Sequence, residues 1–311
     1  MTLATPIQGQ NPARAALTRY AWLSIAAALA TIALKTSAYL LTGSVGLLSE
    51  AAESVVNLVG AGMALSMLMI AARPPDESHT YGHSKAEYFS SGVEGLLILV
   101  AAAGIIWSSI DHLLHPHPLE QLGLGLAVSL VGSVINLVVA RILLRAGKNH
   151  NSITLEADAR HLMTDVWTSV GVFFGVGIVA LTGLIPLDPI VGMLVAINIV
   201  WTGVQLLRRS VAGLMDAALP AADQQAIESV MSKYRGKQVD FHALRTRQAA
   251  SRRFVTVHML VPGEWTVHDA HQFAEEFESD LRAALGEAVI TTHVEPIEDE
   301  LSMKDILLEQ E

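Results

Sequence analysis

Four residues in two apolar stretches are of types that hold metal ions. In "SEAAESVVNLVG" (49–60) Glu53 and Asn57 stand four apart, and in "HLMTD" (161–165) His161 and Asp165 do the same. On a helix that spacing puts both side chains on one face. Two such helices facing each other enclose a four-coordinate site of two carboxylates, one amide oxygen and one imidazole. The two negative charges match one divalent cation, and the oxygen and nitrogen donors suit borderline or hard first-row metals. An ionisable side chain inside an apolar run is costly and marks function by default. The same residues also suit helix-packing contacts or, for His161 and Asp165, a first helical turn at the membrane interface. At 1.5 Å per residue, Glu53 lies about 14 Å and Asp165 about 25 Å from the outer ends of their spans, so the pairs meet only if the helices tilt or shift.

Three further groupings have ligand character. "RPPDESHTYGHSKAE" (73–87) packs Asp76, His79 and His83 around the bend at Gly82. A carboxylate with two imidazoles suits a second metal ion, and a solvated loop equally well. "DHLLHPHP" (111–118) places His112, His115 and His117 where a released ion would pass, although a polar loop accounts for them too. The last third holds His242, His258, His268, His271 and His293, with Glu295 two residues beyond the last. His293 and Glu295 alternate onto one face of a predicted strand.

The elements that must position these residues follow from hydropathy. Of 311 residues, 51% are apolar and only 16% charged, too few charges for an ordinary soluble domain. Six candidate spans lie near 20–41, 45–70, 89–113, 122–146, 158–182 and 187–209. Each is close to the ~20 residues that cross a bilayer. Arg14, Arg19, Arg73, Lys85, Arg141, Arg145, Lys148, Arg160, Arg208 and Arg209 all fall on one side, whereas 42–44, 114–121 and 183–186 contain no Lys or Arg. This asymmetry predicts both termini in the cytoplasm and a multi-pass protein of the inner (cytoplasmic) membrane. Residues 1–19 form a polar tail without the pattern of a signal peptide.

After Pro220 the pattern changes. An amphipathic helix is expected over 221–235, strands over 238–250, 252–261 and 288–296, and a helix over 266–285. The predicted architecture is therefore a membrane all-α six-helix bundle (20–210), a linker (211–220), a small cytoplasmic α+β domain (221–296) and an acidic tail (297–311). The net charge of −10 comes from this last third, and no basic tract points to nucleic acid. The absence of cysteine excludes disulfides and thiolate ligands. No nucleophile elbow, phosphate loop or nucleotide fingerprint suggests an enzyme.

These residues in this order resemble the cation diffusion facilitator family of metal/proton antiporters. The matches are "TGSVGLLSEAAESVVN" (42–57), "PPDESHTYGHSKAEYF" (74–89), "HLMTD" (161–165), "LMDAALP" (214–220) and "HALRTRQ" (242–248), so the resemblance runs from about 15 to 296. It implies six transmembrane helices, a cytoplasmic domain like a metallochaperone, and a homodimer in the lipid bilayer. The transport site then falls on Glu53, Asn57, His161 and Asp165, and a loop site on Asp76, His79 and His83. Cytoplasmic sites fall on His242, His258, His271, His293 and Glu295. Lys85 and Asp216 match an ion pair linking the two parts, and His268 has no counterpart. The resemblance implies no resident cofactor: the metal ion is the substrate and a possible regulator.

One departure bears on selectivity. Zinc and iron members usually carry two aspartates, or His and Asp, where this chain has Glu53 and Asn57. A neutral amide holds every divalent ion less firmly than a carboxylate. Zinc gains most from His161, while manganese, iron(II) and cobalt lose least at an oxygen-rich site. The expected activity is proton-coupled efflux of one of these four by alternating access. The rival readings are a non-transporting membrane metal sensor or scaffold, and a sodium/proton carrier.

Overall fold

The computed structural model describes residues 16–42, 45–115, 122–184, 186–236 and 238–303. His117, the turn at Gly43, most of the N-terminal tail and the end of the acidic tail lie outside the described residues. The chain divides into two compact units, Met1–Val211 and Ala212–Glu311.

The first unit is built from six long helices: α1 (Thr18–Thr42), α2 (Val45–Ala71), α3 (Ala86–Leu114), α4 (Leu122–His150), α5 (Ile153–Thr182) and α6 (Leu187–Leu214). Among the described residues, five of them (all but α5) are long and apolar enough to cross a membrane. Helix α5 starts at Ile153, five residues before its apolar run, because Ser152 caps it: the Ser152 Oγ accepts from Leu155 N–H. The same hydroxyl donates to Glu87 on α3, and Arg209 of α6 donates to Glu156 at 2.7 Å. Helices α4 and α6 likewise outrun their apolar stretches, since intrahelical hydrogen bonding needs no hydrocarbon around it.

Helix α5 is the hub. It packs against α2, α3 and α4 and touches α1. Among the described residues, two tight clusters of buried side chains hold this arrangement. Ala27, Val139, Ala140, Leu143, Ala159 and Leu162 join α1, α4 and α5, and Leu65, Leu68, Ala146 and Leu155 tie α2 to α4 and α5. Leucine and alanine make up most of both clusters, and the alanines let the helices approach closely, as helices in a bilayer associate through small residues and van der Waals contact. At Gly147 a Cβ would stand 2.9 Å from the Glu156 backbone nitrogen, so α4 and α5 meet there backbone to backbone.

The second unit holds α7 (Ala221–Tyr234), β1 (Asp240–Ala249), β2 (Arg252–Val261), α8 (Val267–Leu285), β3 (Ala288–Pro296) and a short 3₁₀ turn, Glu300–Met303. The sheet order is β1-β2-β3, with β1 antiparallel and β3 parallel to β2. A parallel neighbour needs a crossover, and α8 supplies it. Strand alternation sends Phe241, Val255, Val257, Met259 and Ile290 to one face, where they pack with Phe277 and Leu281 of α8 and Ile227 of α7. Phe277 is fully buried, its ring stacked on Phe241 at 4.6 Å.

Candidate metal sites

Two helices bring the four residues of the first site to one cavity. Glu53, Asn57, His161 and Asp165 line a cavity of about 690 Å³ that also reaches His112 near the end of α3. Asn57, His161 and Asp165 are buried. The Asn57 amide bridges the other two: its Oδ1 lies 2.7 Å from His161 Nε2, and its Nδ2 donates to Asp165 Oδ2. Asn57 therefore stands level with both α5 residues, and α2 and α5 are offset along their axes. That offset removes the depth mismatch expected from counting along the spans. Glu53 is half-buried and lines the same cavity without closing a tight ligand cluster with His161 and Asp165.

Three neighbours of this site were not singled out from the sequence. Asn136 of α4 donates from Nδ2 to Asp165 Oδ2 at 2.9 Å. Glu94 of α3 is fully buried, with Oε2 3.9 Å from His161 Nδ1. Asp158 sits one turn before His161 and accepts from Ser24 of α1 at 3.0 Å. A signal was present for two of them: "INLVVA" (135–140) and "VEGLLILV" (93–100) each carry one polar side chain in an apolar run. What was missing was knowledge of which helices adjoin α5.

Among the described residues, two clusters have ligand atoms all within 4.8 Å of one another. The first is Asp76, His79 and His83. Asp76 Oδ1 accepts from the Ser78 hydroxyl at 2.8 Å and from His79 N–H at 2.7 Å, which closes the loop around the carboxylate. These bonds, the Ser78 hydroxyl foremost, hold the Asp76 carboxyl below its ordinary value. Asp76 Oδ2 is left 3.3 Å from His83 Nε2, and the two imidazoles lie 4.4 Å apart. Gly82, at φ 82°, takes the left-handed conformation that turns His83 back.

The second cluster is His242, His258 and Glu295. Register builds it: His242 pairs with His258 across β1/β2, and His258 with His293 across β2/β3. Glu295 Oε2 lies 2.8 Å from His242 Nε2 and 3.2 Å from His258 Nδ1, while Oε1 is 3.5 Å from His293 Nε2. His271 is not part of this cluster. It is exposed on α8, which packs on the apolar face of the sheet, whereas the histidine row occupies the opposite face. His268 is likewise exposed on α8. Lys85 immediately precedes α3, and Asp216 accepts from Arg247 at 3.3 Å.

The chain matches the family model for the cation efflux transmembrane domain over residues 21–215, and that for the cytoplasmic domain of cation efflux proteins over 219–297. This chain belongs to the cation diffusion facilitator family. An uncharacterized Synechocystis transporter, sll1263, is 52% identical over 280 residues, covering 90% of each chain. The cation-efflux pump FieF of Shewanella oneidensis is 28% identical over 277 residues, covering 89% of this chain and 93% of that one. FieF of Salmonella arizonae is 26% identical over 280 residues, covering 90% and 93%. As a cation diffusion facilitator the protein is a multi-pass membrane transporter: a helical membrane domain followed by a small α+β domain.

Proposed function

We propose that this protein exports a divalent transition-metal cation (zinc, iron(II), manganese or cobalt) across the cytoplasmic membrane in exchange for protons. The observation that carries the reading is the convergence of Asn57, His161 and Asp165, with Glu53, on one cavity within the apolar helices. Asn57 occupies the space between imidazole and carboxylate. Rotation of its amide would release His161 Nε2, remove one of the two donors on Asp165 Oδ2 and offer Oδ1 as a third ligand, with Glu53 closing from one turn away. The similarity to cation-efflux pumps of the FieF type supports this use of the site.

Proton coupling follows from linkage. The imidazole must be neutral and both carboxylates ionised to bind metal, so loading releases protons and protonation from the far side releases metal. Two arrangements of the bundle would expose the site to each side in turn. The proposal includes cytoplasmic termini, a homodimer, and metal binding by the cytoplasmic cluster that favours one arrangement. The Lys85–Asp216 ion pair and a contribution of His271 belong to the same proposal.

The test is uptake of the four metals into proteoliposomes under a proton gradient, parent beside Asp165→Ala. Flux that requires the gradient and disappears in Asp165→Ala supports antiport. Metal binding without flux sinks it and favours a sensor, and sodium flux indifferent to divalent ions favours a sodium carrier.

A further inference from the structure

Among the described residues of the membrane unit, Glu94 is the carboxylate least accommodated by its surroundings. It is fully buried, and neither Oε1 nor Oε2 has a hydrogen-bond partner. Such a group is expensive unless something arrives to pair with it. The space it occupies is kept open from another helix: a Cβ on Gly60 of α2 would stand 2.9 Å from Oε1. Asp158 is near enough to interact with it electrostatically. Facing Glu94 Oε2 at 3.9 Å is His161 Nδ1, itself buried and without a partner.

The other ring nitrogen explains why that gap is open. His161 Nε2 lies 2.7 Å from the Asn57 carbonyl oxygen, which can only accept, so Nε2 carries the hydrogen in this arrangement. Nδ1 then presents a lone pair to a carboxyl oxygen, and the two stand off. Binding metal through Nε2 requires the lone pair there and the hydrogen on Nδ1. The hydrogen then points at Glu94.

We infer that Glu94 is a positioning residue for His161: its carboxylate accepts the Nδ1–H when Nε2 turns to the metal ion. The inference rests on the transport-site reading above. A carboxylate behind a ligating imidazole fixes ring orientation and tautomer and strengthens the nitrogen as a donor, and its removal lowers metal affinity about 10–100-fold. Glu94 thus acts through His161 and needs no contact with the ion.

The experiment uses the full chain with His79, His83, His242 and His258 replaced by alanine, so that zinc binding reports the membrane unit. Nitrogen-15 spectra, with His161→Gln as the assignment control, read the His161 tautomer without and with zinc. The expected result is hydrogen on Nε2 without zinc and on Nδ1 with it. Glu94→Leu should lower zinc affinity by about 10–100-fold and release the tautomer preference. Glu94→Gln, whose amide oxygen still accepts, should restore most of both. Zinc-loaded protein that keeps its hydrogen on Nε2, or Glu94→Leu with parental affinity, overturns the inference. Where Glu94→Leu does not fold, Gly60→Ala decides, because it displaces the same carboxylate from α2; parental affinity there also overturns it. If the membrane unit of the parent binds none of zinc, manganese, cobalt or iron(II), the transport-site reading itself has failed, whereas a parent that binds metal beside a Glu94→Leu variant of parental affinity marks a failure of Glu94 alone.

Discussion

Replacing Asn136 by leucine removes one hydrogen-bond donor from Asp165 and almost nothing else. The two side chains are similar in size, and the Asn136 Oδ1 is buried without a partner, so its loss costs no bond. In this structure Asp165 Oδ2 accepts from both Asn57 and Asn136. When Asn57 turns its carbonyl to a metal ion it withdraws its donor, and Asn136 becomes the group that orients the carboxylate. The substitution therefore weakens the loaded state more than the empty one. A hydrogen bond to a charged group contributes about 1.5–3 kcal/mol. At about 1.4 kcal/mol per decade, that sets an upper limit of roughly 10–100-fold on the rise in the metal concentration for half-maximal uptake, since the empty state loses the same bond but keeps Asn57 as a donor. Asn136→Leu in proteoliposomes, assayed over zinc and manganese concentration series, should show this rise with a smaller change in maximal rate. A half-saturation within twofold of the parent would refute the argument that Asn136 orients Asp165 for metal.

The cytoplasmic cluster makes a separate prediction: His258→Ala should remove one bound zinc per chain from the full-length protein, measured as metal stoichiometry after gel filtration, because His258 joins His242 and Glu295 in the middle of the row. An unchanged stoichiometry would show that the row does not hold metal. Phe277→Ala deletes a fully buried ring that packs on Phe241 and Tyr234 and should destabilise the second unit by about 3–5 kcal/mol in denaturant titrations of the full chain. The capping box of α8 carries a pH signature. The Thr266 hydroxyl and backbone hold the Asp269 carboxyl below its ordinary 3.8. A depressed carboxyl contributes stability above the unfolded pKa and loses it as pH falls through the folded one. The cap should therefore hold down to pH 3.8 and weaken below it, and Thr266→Ala should move the Asp269 carbon-13 titration upward.

Much of the molecule is legible along the chain because its signals are local. A spacing of four placed Glu53 with Asn57, and His161 with Asp165, on shared faces before any helix was seen. Hydropathy marked the long helices, which run past their apolar spans where caps such as Ser152 extend them. Period-two alternation separated Phe241 from His242 and Met259 from His258, so the histidine row and the core fall on opposite faces of one sheet. The Asp76 loop was legible for the same reason, since Asp76, His79 and His83 lie within eight residues.

What the chain alone does not state is adjacency. Asn136 and Glu94 read as isolated polar residues in apolar runs, and only the packing of α3 and α4 against α5 sets them beside Asp165 and His161. The offset of α2 against α5, which lets Asn57 bridge that pair, is likewise a sum of many small side-chain contacts along both helices. The β1-β2-β3 register aligned His242, His258 and His293, whereas the side of the sheet taken by α8 separated His271 from them. Spacing along one helix or strand is set by bond geometry, and so the sequence determined it. Neighbours between elements depend on surfaces that exist only once the elements have packed, and so tertiary structure decided them.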